Sequence, residues 1–183
     1  MNTKLSDYLI MKKRIAVMCS GNGTNFENII RTCTKHEVVL MIHNKQDCGA
    51  AKRADRFGIP HCYIKHKDED QMRLLLEAWR VDLIILAGYM RVLKDPSAFH
   101  CPIINVHPSL LPKFKGMNAV EQALHSGEEV TGCTVHFVNE ELDGGEIIRQ
   151  QEVPILPEDD VDTLTKRIQR AEYGLLPMVI DEL

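Results

Sequence analysis

The sequence has no apolar segment long enough to cross a membrane, and no run of Lys and Arg long enough to follow a nucleic-acid backbone. Its net charge of −4 at pH 7 has the wrong sign to attract a polynucleotide. The apolar stretch Leu9-Ile10-Met11 near the start is too short for a secretion signal. We therefore expect no nucleic-acid partner and no membrane partner.

The six cysteines form no C-x-x-C pair, and the eight histidines form no H-E-x-x-H motif. These spacings are typical of zinc sites, so their absence predicts that the protein binds no metal. Unpaired thiols are typical of a reducing compartment, which favours a cytoplasmic location.

A chain of 183 residues with 44% hydrophobic and 26% charged side chains can bury one continuous core, but it is too short for a second large domain. It contains no internal repeat and no low-complexity segment. We predict a single domain over residues 14–183, preceded by an N-terminal extension over residues 1–13.

Short apolar runs alternate with stretches of helical periodicity over much of the sequence. The runs lie at residues 15–19, 38–42, 61–64, 82–87 and 102–106. Such alternation predicts an α/β protein with a mostly parallel central sheet and helices on both faces. Strand-like segments 131–138 and 146–153 then predict an antiparallel excursion in the C-terminal third. A last helix should begin near Asp159 and should end or kink at Pro177.

A glycine loop, Ser20-Gly21-Asn22-Gly23-Thr24-Asn25, joins the first strand to the first helix. Its backbone N–H groups and the positive end of the helix can bind a phosphate. A tight turn with Thr24 as the helix cap explains the loop about equally well. A dinucleotide site is a third reading, but Phe26 occupies the third glycine position, and His43-Asn44 replaces the ribose-binding acid. We expect a monophosphate.

Three polar side chains follow predicted strands and could form a reaction centre. Asn105 and His107 lie two residues apart, on the same side of an extended strand. An amide can donate to an oxyanion, a histidine can carry a proton, and Asp143 would complete the group if the excursion folds back. The plain alternatives are a structural strand-end histidine and an ordinary Asp-Gly hairpin turn.

Four ordered segments resemble the folate-dependent phosphoribosylglycinamide formyltransferases of purine synthesis, over Arg14 to about Val179. The segments are the glycine loop, Leu86-Ala87-Gly88-Tyr89-Met90-Arg91-Val92-Leu93, Ile104-Asn105-Val106-His107-Pro108-Ser109-Leu110-Leu111-Pro112 and Glu141-Leu142-Asp143-Gly144-Gly145. The resemblance implies a Rossmann-like formyltransferase fold.

The resemblance also implies roles for particular residues. The catalytic residues would be Asn105, His107 and Asp143. The substrate would be bound by Gly23, Thr24, Asn25, Gln169, Arg170 and Glu172, with the first three at its phosphate. The folate cleft would be formed by Met90, Arg91, Val92, Leu93, Asn105, Asn139, Glu140, Glu141, Leu142 and Asp143. Core packing is the plain alternative for Met90 and Leu93.

The implied reaction transfers a formyl group from the co-substrate 10-formyltetrahydrofolate to the amine of 5'-phosphoribosylglycinamide, by a monomer or homodimer. Two alternatives remain: a formyltetrahydrofolate hydrolase (deformylase), and a non-catalytic phosphate- or nucleotide-binding module. The related methionyl-tRNA formyltransferases share the His-Pro-Ser-Leu-Leu-Pro stretch, but they have an RNA-binding domain for which this acidic chain has no room.

The sequence departs from the family pattern in two places. The stretch between Ile64 and Gln71 is short and lacks an expected basic residue, for which Lys65 or Lys67 could substitute. Some relatives have histidines within the segment 117–121, so no ligand role is transferred to that segment.

Overall fold

The computed structural model describes residues 12–65 and 68–183. The predicted N-terminal extension lies outside these residues except for its last two, and Lys67 also lies outside them. The elements in chain order are β1 (Arg14–Cys19), α1 (Thr24–Thr32), β2 (Glu37–His43), α2 (Gly49–Phe57), β3 (His61–Tyr63), α3 (Glu69–Ala78), β4 (Leu83–Leu86), a short 3-10 helix (Pro96–Ala98), β5 (Ile103–His107), α4 (Ala119–His125), β6 (Val130–Phe137), β7 (Ile147–Pro154) and α5 (Val161–Glu182).

The strands form one sheet of seven strands in the order β3-β2-β1-β4-β5-β6-β7. The first five strands are parallel, while β6 and β7 are antiparallel to their neighbours. The predicted α/β architecture is therefore confirmed. The predicted antiparallel strands are β6 and β7, and they extend the main sheet because β6 pairs with β5. The strand order reverses between β1 and β4, where sheets of this kind form a ligand crevice.

Both faces of the central strands are buried, which explains why these strands read as continuous apolar runs. In β1, Ile15 and Val17 pack in a core with α1, α2 and α5. Ala16 and Met18 point the other way, into a second core that includes Met72 of α3. Successive side chains of one strand thus pack against helices on opposite faces of the sheet. This packing fixes the positions of the helices around the carboxyl ends of the strands.

Helix α5 begins with a capping box in which the Asp160 side chain accepts from the Thr163 backbone N–H. Of the two outcomes expected at Pro177, an end or a kink, the end is wrong, because the helix continues through this residue to Glu182. Pro177 has no N–H for the carbonyl of Tyr173, four residues earlier. Asn28 Nδ2 of α1 donates to that carbonyl at 2.7 Å, so the unused acceptor is satisfied by a neighbouring helix.

Gly132 allows β6 and β7 to approach closely, because a Cβ at this position would lie 2.0 Å from the carbonyl oxygen of Gln151. We expect Gly132→Ala to destabilise the protein by about 1–3 kcal/mol or more, since the strand pair has to separate. Urea unfolding measures the change. Gly174→Ala is the control, because it adds a methyl group to α5 where nothing lies within 4 Å, and it should be neutral or slightly stabilising. Equal stabilities of the two variants would contradict the expectation.

Candidate active site

A cavity of about 700 Å³ opens at the carboxyl ends of β1, β4 and β5. It is lined by the glycine loop, the segment after β4, the end of β5, the loops around residues 116–121 and 138–143, and one face of α5. The cavity is therefore at the crevice that the reversal of strand order creates. All the predicted site residues except Arg170 are among those that line it.

Within the glycine loop, Gly23 directly precedes α1 and has the left-handed conformation with φ 70°. Gly23, and not Thr24, is the N-cap residue, so the reading of Thr24 as the helix cap is wrong. No side chain in the described part of the protein caps α1. The first backbone N–H groups of the helix are therefore left without a side-chain acceptor beside the cavity, as an anion site requires.

Asn25 and Glu172 meet between α1 and α5. Asn25 Nδ2 donates to Glu172 Oε2 at 2.8 Å. Burial raises the pKa of the Glu172 carboxyl to about 7, and the bond from Asn25 partly offsets this shift. Asn25 Oδ1 is buried and has no hydrogen-bond partner within residues 12–65 and 68–183, so a ligand donor could complete it.

The two other predicted residues of α5 differ in position. Gln169 lines the cavity, three residues before Glu172 on the same helix face. Arg170 is exposed and does not line the cavity, because it is one position further round the helix. The structure therefore gathers Gln169 and Glu172 at the site but leaves Arg170 in solvent.

The raised pKa of Glu172 predicts that stability depends on pH. Folding favours the neutral acid, so this contribution is complete below the usual value of 4.5 and is lost as the pH rises through about 7. The full loss is about 3 kcal/mol. We expect Glu172→Gln, which cannot ionise, to match the wild type near pH 5 and to exceed it in stability near pH 9. Urea unfolding at the two pH values tests this, and parallel pH profiles of the two proteins would contradict it.

Asn105, His107 and Asp143 lie close together at the end of β5. The Nε2–H group of His107 donates to the carbonyl of Phe114 at 2.8 Å, and His107 Nδ1 lies 3.4 Å from Asp143 Oδ2. Gly116 N–H donates to the same carboxylate oxygen at 2.8 Å. A proton on Nδ1 would therefore point at a carboxylate that is already held in place. The Asp143 turn does fold back onto β5, as the sequence reading requires.

A family model described as formyl transferase matches residues 13–180 of this chain. The chain belongs to this family. The phosphoribosylglycinamide formyltransferase of Haemophilus influenzae is 41% identical over 181 residues, which cover 92% of this chain and 85% of that protein. The trifunctional purine biosynthetic protein adenosine-3 of Drosophila melanogaster is 44% identical over 184 residues, and there the chain spans 14% of the relative's length.

Solved structures agree with the family assignment. The phosphoribosylglycinamide formyltransferase of Anaplasma phagocytophilum superposes with a TM-score of 0.90 at 38% identity, covering 93% of this chain and 86% of that one. Glycinamide ribonucleotide transformylase 1 of Symbiobacterium toebii also gives a TM-score of 0.90 at 38% identity, covering 94% and 88%. The predicted resemblance, fold and enzyme class are confirmed by these matches.

The formyl transferase has a second histidine at the site that sequence reasoning missed. His136 lies opposite Asn105 in the β5–β6 pair, and it is 2% exposed. Its Nδ1 lies 2.8 Å from the Phe137 carbonyl, which fixes the proton there, so Nε2 can accept from Asn105 Nδ2 at 3.2 Å. The pKa of His136 is lowered, and burial of the ring is the largest cause. A neutral His136 thus orients the Asn105 amide.

A signal for His136 was present in the sequence. It lies in the strand just before the Asp143 turn, and an antiparallel return of that turn onto β5 requires a β6 residue to face Asn105. Sequence reasoning paired the turn with β5 but did not assign the register of the strand between them.

The predicted folate cleft adjoins this group. Met90 and Val92 are exposed at the cavity, whereas Leu93 is 6% exposed and packs in the second core, so packing and cavity lining are combined. Ser20 connects the cleft to the glycine loop, because Met90 N–H donates to Ser20 Oγ at 2.8 Å. The backbone N–H of Ser20 also donates to the carbonyl oxygen of Gly88 at 3.0 Å.

The loop that carries Asp143 is bonded to the segment around Gly116. Lys115 Nζ lies 2.6 Å from Glu141 Oε1, next to the bond from Gly116 to Asp143. Asn139 Oδ1 accepts from Glu141 N–H at 3.0 Å and shapes the turn. The residues predicted at 139–143 all line the cavity, as Met90 does.

In the part of the chain that the structure describes, no group of three or more His, Cys, Asp or Glu side chains could hold a metal ion. All six cysteines are free thiols. None of the helices described is long and apolar enough to span a membrane.

Proposed function

We propose that this formyl transferase moves the formyl group of 10-formyltetrahydrofolate to the amine of 5'-phosphoribosylglycinamide, as in de novo purine biosynthesis. The products are the N-formyl compound and tetrahydrofolate. The observation that carries the proposal is the 3.4 Å approach of Asp143 to His107, in one cavity with Asn105 and the glycine loop. The names of the Haemophilus influenzae and Anaplasma phagocytophilum proteins support the same reaction.

The shape of the cavity supports a placement for each substrate. The phosphate would bind at Gly23, Thr24 and Asn25, where backbone N–H groups meet the positive end of α1. The substrate amine would lie near the Glu172 carboxyl, which is buried beside this loop. The folate would occupy the cleft between residues 90–93 and residues 139–143.

The reaction needs the protein to stabilise an oxyanion, to hold a charged histidine and to assist a proton transfer. The amine nitrogen attacks the formyl carbon, and the carbonyl oxygen gains negative charge in the tetrahedral intermediate. A free N–H of Asn105 would donate to that oxygen, and the positive charge of a protonated His107 beside it would stabilise it further. Asp143 would hold the imidazolium and assist transfer of the amine proton to N10 of the folate as the C–N10 bond breaks. No covalent enzyme intermediate is required.

An absorbance assay for tetrahydrofolate release, with and without phosphoribosylglycinamide, tests the proposal. We expect release only when both substrates are present. Release without the amine substrate would identify a hydrolase. No release in either case would identify a binding module. Matched rates of folate release and of formylated product formation complete the test.

We further propose that small molecules are its only substrates and that it is a monomer or homodimer in the cytoplasm. The free thiols are in keeping with a reducing compartment. Sedimentation equilibrium of the purified enzyme measures the oligomeric state, and a larger assembly would contradict the proposal.

A further inference from the structure

The outer side of the glycine loop packs against the first turn of α2. The carbonyl of Gly21 accepts from Ala50 N–H at 3.1 Å. A Cβ on Gly23 would lie 2.7 Å from Ala50 Cβ, and one on Gly49 would lie 2.9 Å from Asn22 Cα. Backbone meets backbone here, so the position of α2 determines the position of the loop.

Arg53 of α2 bonds to the loop and to the helix that follows it. Its Nε donates to the Asn22 carbonyl at 2.7 Å, and its guanidinium also pairs with Glu27. Glu27 is in the first turn of α1, and its backbone N–H donates to the Gly23 carbonyl at 3.0 Å. Arg53 therefore joins the two ends of the segment that meets the proposed phosphate.

The direction of these bonds determines where the loop's N–H groups point. In a planar trans peptide the carbonyl and the next residue's N–H point in opposite directions. The carbonyls of Gly21 and Asn22 are anchored on the α2 side, by Ala50 and Arg53. The N–H groups of Asn22 and Gly23 must then point away from α2. Successive N–H groups with one direction form an anion-binding concavity.

Two other arginines serve as an internal comparison. Arg31 and Arg56 also pair with Glu27, at 2.9 and 2.5 Å, and both lie over the Phe57 ring. Within the described residues, their side chains donate to Glu27 and not to the loop carbonyl that Arg53 contacts. They share the charge and the partner of Arg53 but lack its contact with Asn22.

We infer that Arg53 is a positioning residue for the phosphate subsite, acting through the Asn22 carbonyl without touching the ligand. The identity of the ligand rests on the proposed function. The effect of Arg53 on a bound phosphate does not require formyl transfer. Its side chain is 30% exposed and lies outside the cavity lining, so the backbone transmits its effect.

Kinetics of Arg53→Met, compared with Arg56→Met, tests the inference. We expect Arg53→Met to raise KM for the phosphoribosyl substrate about tenfold, because a charge-assisted bond to the loop is lost. KM for the folate and kcat should change by less than about twofold. Arg56→Met loses a Glu27 pair but keeps the Asn22 contact, and it should leave all three constants near the wild type.

Calorimetry with inorganic phosphate supplies a readout that is independent of catalysis. Phosphate should bind Arg53→Met about tenfold more weakly than the wild type, and Arg56→Met with unchanged affinity. Arg53→Lys, which keeps the charge without the planar fork, should be weakened to an intermediate degree and serves if the Met variant does not fold.

Three outcomes would overturn the inference. Equal losses in Arg53→Met and Arg56→Met would show that charge alone matters. Normal phosphate affinity in the Arg53 variants would show that the bond does not orient the loop. A wild-type protein that binds no phosphate would remove the subsite. If phosphate binding responds as expected but no formyl transfer occurs, the proposed function fails and the role of Arg53 stands.

Discussion

Replacing His107 by alanine is expected to lower the turnover of formyl transfer by about a hundredfold or more. The ring is held between the Asp143 carboxylate and the Phe114 carbonyl and is 5% exposed, so its loss would remove the positive charge that is proposed to stabilise the developing oxyanion. Loss of one group that stabilises an oxyanion typically costs about 3 kcal/mol of barrier. The folate-release assay at saturating substrates measures the effect directly.

The control for this variant is His125→Ala. His125 is an exposed histidine on α4 that bonds to the carbonyl of Glu121, and its removal should leave turnover within about twofold of the wild type. A turnover of His107→Ala close to that of the control would show that the imidazole has no part in the reaction.

Asp143→Asn should lower turnover by about a hundredfold to ten-thousandfold, with a much smaller change in KM for the folate. The amide keeps the shape of the side chain and can still accept from Gly116 N–H, which now lies 2.8 Å from the carboxylate. The variant loses the negative charge opposite His107 and His136. The chemistry should therefore be impaired while the wall of the folate cleft is kept.

The double variant of Asp143→Asn and His107→Ala tests whether the two side chains act as a pair or independently. Because Asp143 is proposed to act on the ring of His107, removing both groups should cost little more than removing His107 alone. Losses that multiply in the double variant would indicate that Asp143 acts independently of His107. A folate KM that rises as much as turnover falls would indicate that Asp143 anchors the folate instead.

The sheet and its helices were predictable because both faces are covered. Burial on two sides makes β1 and β4 continuously apolar, and the helices between them are marked by periodicity and by Gly and Pro. The place of the hairpin was not predictable in the same way. Nothing local in residues 130–154 states that β6 will pair with β5, since that depends on contacts between segments distant in sequence.

The site was predicted in outline from residue types at strand ends and by resemblance. What escaped prediction depends on register and on helix rotation. The register of β6 brings His136 to Asn105, and one step of helix rotation turns Arg170 to solvent while Gln169 faces the cavity. The position of the α1 cap also depends on the left-handed φ of Gly23, a conformation that glycine permits but does not require.

The carbonyl of Tyr173, freed by the proline four residues later, has a consequence for substrate choice. Asn28 holds that carbonyl, and Asn25, one turn earlier on α1, meets Glu172, the residue before Tyr173 on α5. Two side-chain hydrogen bonds therefore fix the axial offset of α1 against α5. That offset sets the span between the proposed phosphate pocket and the proposed acid for the amine, and molecules with a longer or shorter spacer would reach one end and miss the other.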